Sequence, residues 1–401
     1  MSFAEARPIK QYCLGIFDGP HATPRESADG PVFLGIKNIT PNGTLDLTAV
    51  RHVSEEDYPR WTRRVTPLPG DVVFTYEATL HRYALISEGF RGCLGRRVAL
   101  VRPDPNQVDS RYLLYFFLTP KWRHVVQSNV ITGATVDRVP LEKFPNFPAA
   151  LPQLQVQKRI ADILCAYDDL IENNRRRMAL LEQAARELYR EWFVRLRFPG
   201  REHTRITNGV PEGWEKRRLS DVAEVNSASL QSSYDGEIDY IDISSVAPGS
   251  INGTTRYNFR DAPSRARRIV KHGDIIWSCV RPNRKSYAVI WHPATNLIAS
   301  TGFAVLTPTA APTAFLLQAT TTDAFVGYLE NHARGAAYPA VVASDFKRAE
   351  ILVPRASLLS QFNEQAEPLL AQANTLALQN EKLRAARDLL LPLLMSGEIA
   401  V

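Results

Sequence analysis

The stretch KRIADILCAYDDLIENNRRRMALLEQAARELYREWFVR (158–195) decides the fold, because it lies near the middle of a chain of 401 residues and contains neither Gly nor Pro. The whole chain holds 21 Gly and 27 Pro, yet none of them falls between Gln153 and Phe198. Gly and Pro interrupt helices, so their absence over this length predicts one long helix, which we assign to residues 152–198.

Apolar residues recur along this helix at alternating spacings of four and three, the pattern of a coiled-coil seam that needs a helical partner. The seam positions are Ile160, Leu164, Tyr167, Ile171, Asn174, Met178, Leu181, Ala185, Leu188 and Trp192. Asn174 is the polar member, and such a residue costs stability while it fixes register and partner. The opposite face is expected in solvent and carries Arg175, Arg176, Glu182, Arg186 and Glu187.

A second helix with the same pattern is predicted over residues 356–401. Its seam positions are Phe362, Ala366, Leu369, Ala373, Leu376, Asn380, Leu383, Arg387, Leu390 and Leu394. Pro368 has no amide donor, so the helix is expected either to begin again at that residue or to kink there.

Two such helices with a globular region between them are expected to pair as an antiparallel coiled coil, although each could instead only cover the domain beside it. Aspartate at Leu181 or Leu383 is expected to disrupt the pair. At ~1.5 Å per residue, residues 152–195 span about 65 Å and the part after Pro368 about 36 Å. This corresponds to roughly 11 to 19 base pairs of B-DNA between two domain centres.

The chain also repeats itself with a period near 200 residues, and repeats of this kind determine the architecture. The segment PLPGDVVFTY (67–76) matches VKHGDIIWSC (270–279), which aligns Gly70 with Gly273. ITGATVDRVPLEKF, around Gly133, matches HARGAAYPAVVASDF, around Gly335. The order is globular region, long helix, globular region, long helix, with a pseudo-twofold axis expected.

Each globular region is predicted to be a β-rich, mixed α+β domain of the α/β class. Short β-branched and aromatic runs, among them GDVVFTY and GDIIWS, alternate with turn signals. Helices are expected over residues 110–127 and 313–330. We assign the first domain to residues 1–151 and the second to residues 199–355.

Composition and charge set limits on the function. With 45% apolar and 22% charged residues the chain is typical of a folded protein. Its net charge of +6 fits a polyanionic partner or background basicity alike. No signal core or membrane-spanning run is recognisable, and the isolated Cys13, Cys93, Cys165 and Cys279 indicate a reducing cytoplasm.

Motifs of catalysis are missing from the sequence. We find no phosphate-binding GxxxxGK[ST], no GxGxxG after a strand, no HExxH, no GxSxG and no [DN]PP[FY] tetrapeptide of base methyltransferases. No Cys or His spacing suits a metal. The pattern predicts a chain that recognises a ligand and has no catalytic residues, metal site or cofactor of its own.

Basic and aromatic residues in and around the predicted loops are candidates for contacts with DNA. Arg and Lys suit phosphates, Arg and Asn suit base edges, and Gly-rich TGATVDR and ARGAAY permit close approach of the backbone. The candidates are Arg63, Arg64, His81, Arg82, Tyr83, Thr132, Arg138, Arg256, Arg265, Arg267, Arg268, Arg281, Asn283, Arg284, Lys285, Tyr287, Arg334 and Tyr338.

The sequence resembles the specificity (S) subunit of type I restriction-modification enzymes over essentially its whole length. The resemblance rests on PEGWEKRRLSDVAEV (211–225), on the GDVVF and GDIIW strands, on the long central helix and on LLLPLLMSGEI (389–399). The first half lacks a PEGW segment, so the two recognition domains are expected to read different half-sites.

The resemblance implies two target recognition domains, each reading one half of an asymmetric bipartite DNA sequence. It implies that the helices set the gap and dock two methyltransferase subunits that bind S-adenosylmethionine, and that two endonuclease subunits use ATP and Mg²⁺. One alternative is the recognition part of a fused restriction-methyltransferase, which a start at Met1 directly in a domain disfavours. The other is a coiled-coil scaffold that binds only proteins.

Overall fold

The computed structural model describes residues 5–133, 136–335 and 337–401. Its contacts divide the chain into a first unit, residues 1–172 with 380–401, and a second unit, residues 173–379. Each long helix contributes to both units, because the central helix runs from Leu154 to Tyr189 and the C-terminal helix from Ala356 to Ser396. A π-helical turn, Arg190–Val194, extends the central helix.

The first unit contains a four-stranded antiparallel sheet and a three-stranded sheet that includes one parallel pair. In the first sheet the order is Cys13–Asp18, Val98–Pro103, Val72–Thr75, Tyr83–Leu85; in the second it is Arg51–His52, Ser27–Leu34, Gly92–Leu94. Arg7–Pro8 pairs with Pro148–Ala149. The short helices are Tyr58–Trp61, Ser110–Leu118 and Pro120–Gln127, with 3-10 turns at Ile9–Tyr12, Ile36–Asn38 and Phe144–Asn146.

The second unit has the same plan. Its four-stranded antiparallel sheet has the order Ala223–Val225, Phe303–Pro308, Ile275–Ser278, Tyr287–Val289, and its second sheet has the order Thr255–Asn258, Glu237–Ile241, Leu297–Ser300, Ala266–Ile269. Two-stranded pairs join Glu215–Arg218 to Glu350–Val353, Ile206–Thr207 to Val210–Pro211 and Val246–Ala247 to Ser250–Ile251. The short helices are Thr313–Thr321, Asp323–His332 and Ala343–Arg348.

The repeat extends to individual hydrogen bonds at the start of the GDVVF and GDIIW strands. Gly70 (φ 90°) and Gly273 (φ 84°) have the left-handed backbone that favours glycine. The amide of Gly70 donates to Ile86 O and that of Gly273 to Ile290 O, at 2.9 and 2.8 Å. The aspartate that follows each glycine is buried and accepts from a backbone amide three residues earlier. The duplication of the sequence is therefore a duplication of structure.

Two predicted helices are each broken into two. Residues 110–127 are interrupted at Thr119 and residues 313–330 at Thr322, where the backbone is extended. Both threonine hydroxyls donate to the carbonyl oxygen three residues before and accept the amide proton three residues after. Each threonine thus terminates one helix and caps the next. Pro120 strengthens the first break, because proline disfavours helical backbone in the residue before it.

Pro368 does not begin a new helix. The C-terminal helix is continuous through this residue, so the expected restart is wrong. The missing amide of Pro368 removes one hydrogen bond from the helix, and its ring lies on an exposed face. The helices themselves begin and end within a few residues of the predicted bounds, apart from the π-helical turn, which the periodicity did not predict.

In the first unit the core includes both long helices. Ile160, Ala161 and Leu164 lie in one buried cluster with Leu394, against the helix Ser110–Leu118. In the second unit, Trp192 and Phe193 share a cluster with Phe362 and Ala366. The ring centroids of Phe193 and Phe362 are 5.0 Å apart. Seam residues of both long helices are thus buried in the core of each unit.

Candidate nucleic-acid interface

In the second unit a basic turn follows the strand Ile275–Ser278. Arg281 (φ 52°) and Lys285 (φ 51°) both have left-handed backbone and bracket a 3-10 turn, Pro282–Arg284. Side chains other than glycine reach this conformation at a cost of about 1 kcal/mol or more. The turn exposes Asn283 and Arg284, so both are accessible to a ligand.

A second segment, residues 334–341, packs alongside this turn. The amide of Arg281 donates to Pro339 O at 2.7 Å, and that of Val341 to Cys279 O at 2.9 Å. Arg334 and Ala340 exchange two backbone hydrogen bonds of 2.9 Å and close the segment into a loop. The sequence placed these two segments some fifty residues apart, and the structure joins them. We call residues 279–287 and 334–341 of the second unit the second platform; Ala336 lies outside the described residues.

The second platform presents a stacked cation and ring. The guanidinium carbon of Arg281 lies 4.6 Å from the ring centroid of Tyr338, and its Nη2 donates to Ala337 O at 3.3 Å. Tyr338 is 69% exposed, which is unusual for so large an aromatic residue. Arg334 is exposed beside them, whereas the Lys285 ammonium is paired with Asp323 at 2.7 Å.

The remaining basic candidates of the second unit lie in or next to its second sheet and have diverse settings. Arg256 is exposed but forms a two-pronged ion pair with Asp239 at 2.9 and 3.2 Å. Arg267 stacks on Phe259 at 4.4 Å, and Arg268 donates to the Ser229 hydroxyl at 3.0 Å. Arg265 is exposed. A ligand would have to compete with Asp239 for Arg256, while Arg265 is open to contact.

The first unit carries the equivalent structure, which we call the first platform and define as residues 76–83 and 131–139. Ala78 (φ 68°) occupies the place of Arg281, and its amide donates to Asp137 O at 3.0 Å. Ile131 and Arg138 exchange backbone hydrogen bonds as Arg334 and Ala340 do. Val139 donates to Tyr76 O at 2.7 Å. Thr132 and Arg138 are exposed; Ala134 and Thr135 of TGATVDR lie outside the described residues.

His81 and Arg82 are held by the first unit itself. His81 Nε2 is 3.1 Å from Gln127 Oε1, and burial lowers the pKa of this histidine, so the ring is neutral at pH 7. Arg82 Nη1 donates to Ile39 O at 3.1 Å. His81 therefore suits hydrogen bonding to a base edge better than attraction to a phosphate.

A groove of about 490 Å³ lies in the same unit. Its lining residues are Pro20, His21, Ala22, Arg60, Trp61, Arg63 and Arg64. Asp18 pairs with Arg64 and with His21, the latter at 2.9 Å, and Arg63 is exposed. Arg63 and Arg64 were predicted from the sequence but His21 was not, because no sequence pattern links residues forty positions apart.

The structure corrects one aromatic candidate. Tyr83 is 2% exposed, because it begins the strand Tyr83–Leu85 with its ring in the core, where Trp122 Nε1 donates to its hydroxyl at 3.2 Å. Tyr83 is therefore withdrawn as a DNA contact. Tyr287 is half-buried, with its ring 5.5 Å from that of Trp277, and stays a prediction.

The seam positions of the long helices are all buried or half-buried: Ile160, Leu164, Tyr167, Ile171, Asn174, Met178, Leu181, Leu188, Leu369, Leu376, Asn380, Leu383 and Leu390. In the first unit, Asn380 Nδ2 donates to Ile171 O at 3.2 Å, and Arg387 pairs with Asp168. Along these contacts the residue numbers rise in the C-terminal helix as they fall in the central helix, so the two segments are antiparallel. Coiled-coil packing in the strict sense remains a prediction.

Two polar residues have settings that the seam pattern did not predict. Tyr115 donates to Asp168 Oδ2 at 2.5 Å. Burial, and to a lesser extent the neighbouring Asp168 carboxylate, raises the pKa of this tyrosine. Glu182, expected in solvent, is half-buried, and burial raises its pKa.

Large apolar side chains remain exposed on both helices. Leu170 and Leu180 of the central helix are 50% and 65% exposed, and Leu378 and Leu389 of the C-terminal helix are 51% and 71% exposed. Contiguous exposed apolar patches mark interaction surfaces, whereas exposed apolar residues scattered singly are common. They are absent from the predicted seams.

Within the described ranges, no three His, Cys, Asp or Glu residues are arranged to hold a metal ion. In the same part of the chain, no helix is both long enough and apolar enough to cross a membrane.

Comparisons with known proteins agree on one family. The family described as type I restriction modification DNA specificity domain matches residues 48–183. The MjaIX specificity subunit of Methanocaldococcus jannaschii is 24% identical over 98% of this chain and 89% of its own length. The HindI specificity subunit of Haemophilus influenzae is 19% identical over 75% of this chain and 80% of its own.

Among solved structures, the S subunit of a type I restriction-modification system from M. genitalium has a similar fold. The TM-score is 0.57 at 14% identity, over 98% of this chain and 96% of the other. The internal duplication, the two long helices and these likenesses agree, and the chain is similar over nearly its whole length to type I restriction-modification specificity subunits.

Proposed function

We propose that this chain is a specificity subunit that recognises an asymmetric, bipartite DNA sequence, with one platform reading each half. The observation that carries the proposal is the recurrence of one platform at the same place in two units with different side chains. A shared backbone can position both platforms on DNA, while different side chains select different bases.

The chain itself is proposed to be noncatalytic. Methylation of adenine with S-adenosylmethionine is assigned to two methyltransferase subunits, and cleavage with ATP and Mg²⁺ to endonuclease subunits. The exposed leucines of the long helices supply apolar surface for the methyltransferase subunits, and the helices set the gap between half-sites. The complex would work in the cytoplasm, where its DNA is found.

DNA binding by the complex with its methyltransferase subunits tests this function. Duplex DNA is titrated at several salt concentrations by fluorescence anisotropy. Because Lys and Arg displace counterions from phosphates, affinity is expected to fall steeply with salt, by 10³-fold or more between about 50 and 200 mM for six or more phosphate contacts. A complex that assembles yet binds no DNA at low salt would indicate a protein scaffold instead.

A further inference from the structure

The two platforms differ most where their backbones agree. Matching hydrogen bonds pair Ala78 with Arg281, and the closed loops pair Ile131 with Arg334. Counting back from those shared bonds aligns Val136 with Tyr338. The first platform thus offers three apolar side chains where the second offers two guanidinium groups and a phenol.

Arg281 has two described side-chain contacts. Its guanidinium carbon lies 4.6 Å from the centroid of the Tyr338 ring, and the carbonyl oxygen of Ala337 accepts one of its N–H groups. The remaining donors keep the fork geometry of the side chain. An arginine held in this way loses less conformational freedom on binding, and a planar fork matches the two acceptors of a base edge.

No acidic side chain forms an ion pair with Arg281 within the described ranges, whereas Arg256, Arg64 and Lys285 each have one. Its left-handed backbone is a costly setting for arginine. The guanidinium group of Arg281 is thus held by its neighbours without a carboxylate partner, which fits a ligand with two acceptor atoms.

We propose that Arg281 reads a guanine in the half-site of the second unit, with Tyr338 holding its plane. Guanine presents O6 and N7 in the major groove, the pair that an arginine fork accepts best. Arg334 has no comparable stacking partner in the described structure and is assigned to a phosphate. At the position of Arg281 the first unit has Ala78, so no guanidinium reads its half-site there. This inference rests on the proposed function.

The test is a map of adenine methylation in cells that carry the methyltransferase partner and either the wild-type chain or the variants Arg281→Ala, Arg281→Lys and Arg334→Ala. Wild type is expected to methylate a bipartite motif with a guanine in one half. Arg281→Ala and Arg281→Lys are expected to relax that position, with discrimination falling about 5- to 150-fold, while the other half stays unchanged.

Arg334→Ala is the matched control: it is expected to weaken methylation uniformly and to leave the motif intact. In the purified complex, Tyr338→Ala is expected to weaken guanine discrimination, whereas Tyr338→Phe, which retains the ring, keeps most of it. An unchanged motif in both Arg281 variants, or a relaxed position that is not guanine, overturns the inference but leaves the proposed function standing. Absence of any gene-dependent motif in wild type would remove both.

Discussion

Arg284 and Lys285 are adjacent basic residues in different settings. Arg284 is exposed and forms no ion pair in the described structure, whereas Lys285 is held by Asp323. A cation already paired gains less from a phosphate, because the existing partner must be released.

We expect Arg284→Ala to weaken DNA binding of the methyltransferase complex more than Lys285→Ala, and to lower the slope of log affinity against log salt by about 1. The measurement is anisotropy titration at several salt concentrations. Arg205→Ala, an exposed arginine of the second unit outside the platform, is the control and should leave the slope unchanged. Equal losses for all three variants would remove the turn from the DNA-binding surface.

Asp71 and Asp274 are equivalent buried carboxylates with different partners. Arg102 donates to both oxygens of Asp71, at 2.9 and 2.7 Å. In the second unit Thr307 stands at the position of Arg102, and burial raises the pKa of Asp274. The folded state of Asp274 thus binds its proton more tightly than the unfolded chain does, and its contribution to stability is lost as pH rises through the folded pKa.

We expect Asp274→Asn to gain thermal stability relative to wild type as pH rises from about 4 to 7, because the amide carries no charge to bury. Asp71→Asn is the matched control and should lower the melting temperature at pH 7, since it removes the partner of Arg102. The measurement is the melting temperature of wild type and both variants across this pH range. A difference between Asp274→Asn and wild type that does not change with pH would contradict the raised pKa.

Single residues predicted to face a ligand differ in their described exposure. Arg284 and Tyr338 are exposed, whereas Arg281 is half-buried. Tyr83 failed because the end of a loop and the start of a strand look alike in sequence, and one position decides whether a ring faces the core. His21 was missed because the groove forms only when distant segments pack together.

Among the elements, the central helix offers a direct comparison of seam and surface. Leu164 is fully buried in the first unit, while Leu170, on the same helix, is half-exposed. Leu164→Ala is expected to destabilise the fold by about 2 to 5 kcal/mol, because it opens a cavity in the core. Leu170→Ala should stay within about 0.5 kcal/mol of wild type. Thermal or denaturant unfolding measures both, and similar losses would contradict the seam assignment.

The exposed leucines allow a separate test of docking. Leu389→Asp is expected to weaken association with the methyltransferase subunit without lowering the melting temperature of the isolated chain, because the side chain is not part of a core. Co-purification and analytical ultracentrifugation measure the association. Glu381→Lys, exposed on the same helix, serves as the control for a change of charge. Retained association in Leu389→Asp would place docking elsewhere.

Element existence was predictable, but element breaks were not. The long helices follow from periodicity sustained over ten seam positions and from the absence of Gly and Pro in the central one. The breaks at Thr119 and Thr322 depend on one hydroxyl that serves two backbone groups, and threonine is common enough inside helices that the sequence does not identify it as a cap. Proline in the C-terminal helix was tolerated because its ring is exposed.

For the whole molecule, duplication of a platform with altered side chains explains why one chain is expected to read two different half-sites. The first unit carries the groove of Arg60, Arg63 and Arg64 and a platform with Ala78 at the position of Arg281, and the second unit carries the Arg281–Tyr338 pair. The repeat itself could be predicted, because Gly70 and Gly273 occupy matching turns that require glycine. The pairing of each turn with its loop could not, since backbone bonds such as that of Arg281 to Pro339 leave no mark on the sequence.

Each half of the chain is proposed to read one half of a divided target. A long-read map of adenine methylation in cells that express the methyltransferase partner, with and without this gene, tests this proposal. We expect a motif of two unlike half-sites separated by a fixed gap, present only with the gene. A continuous motif, two identical half-sites, or a methylation pattern indifferent to the gene while the partner is expressed would contradict it.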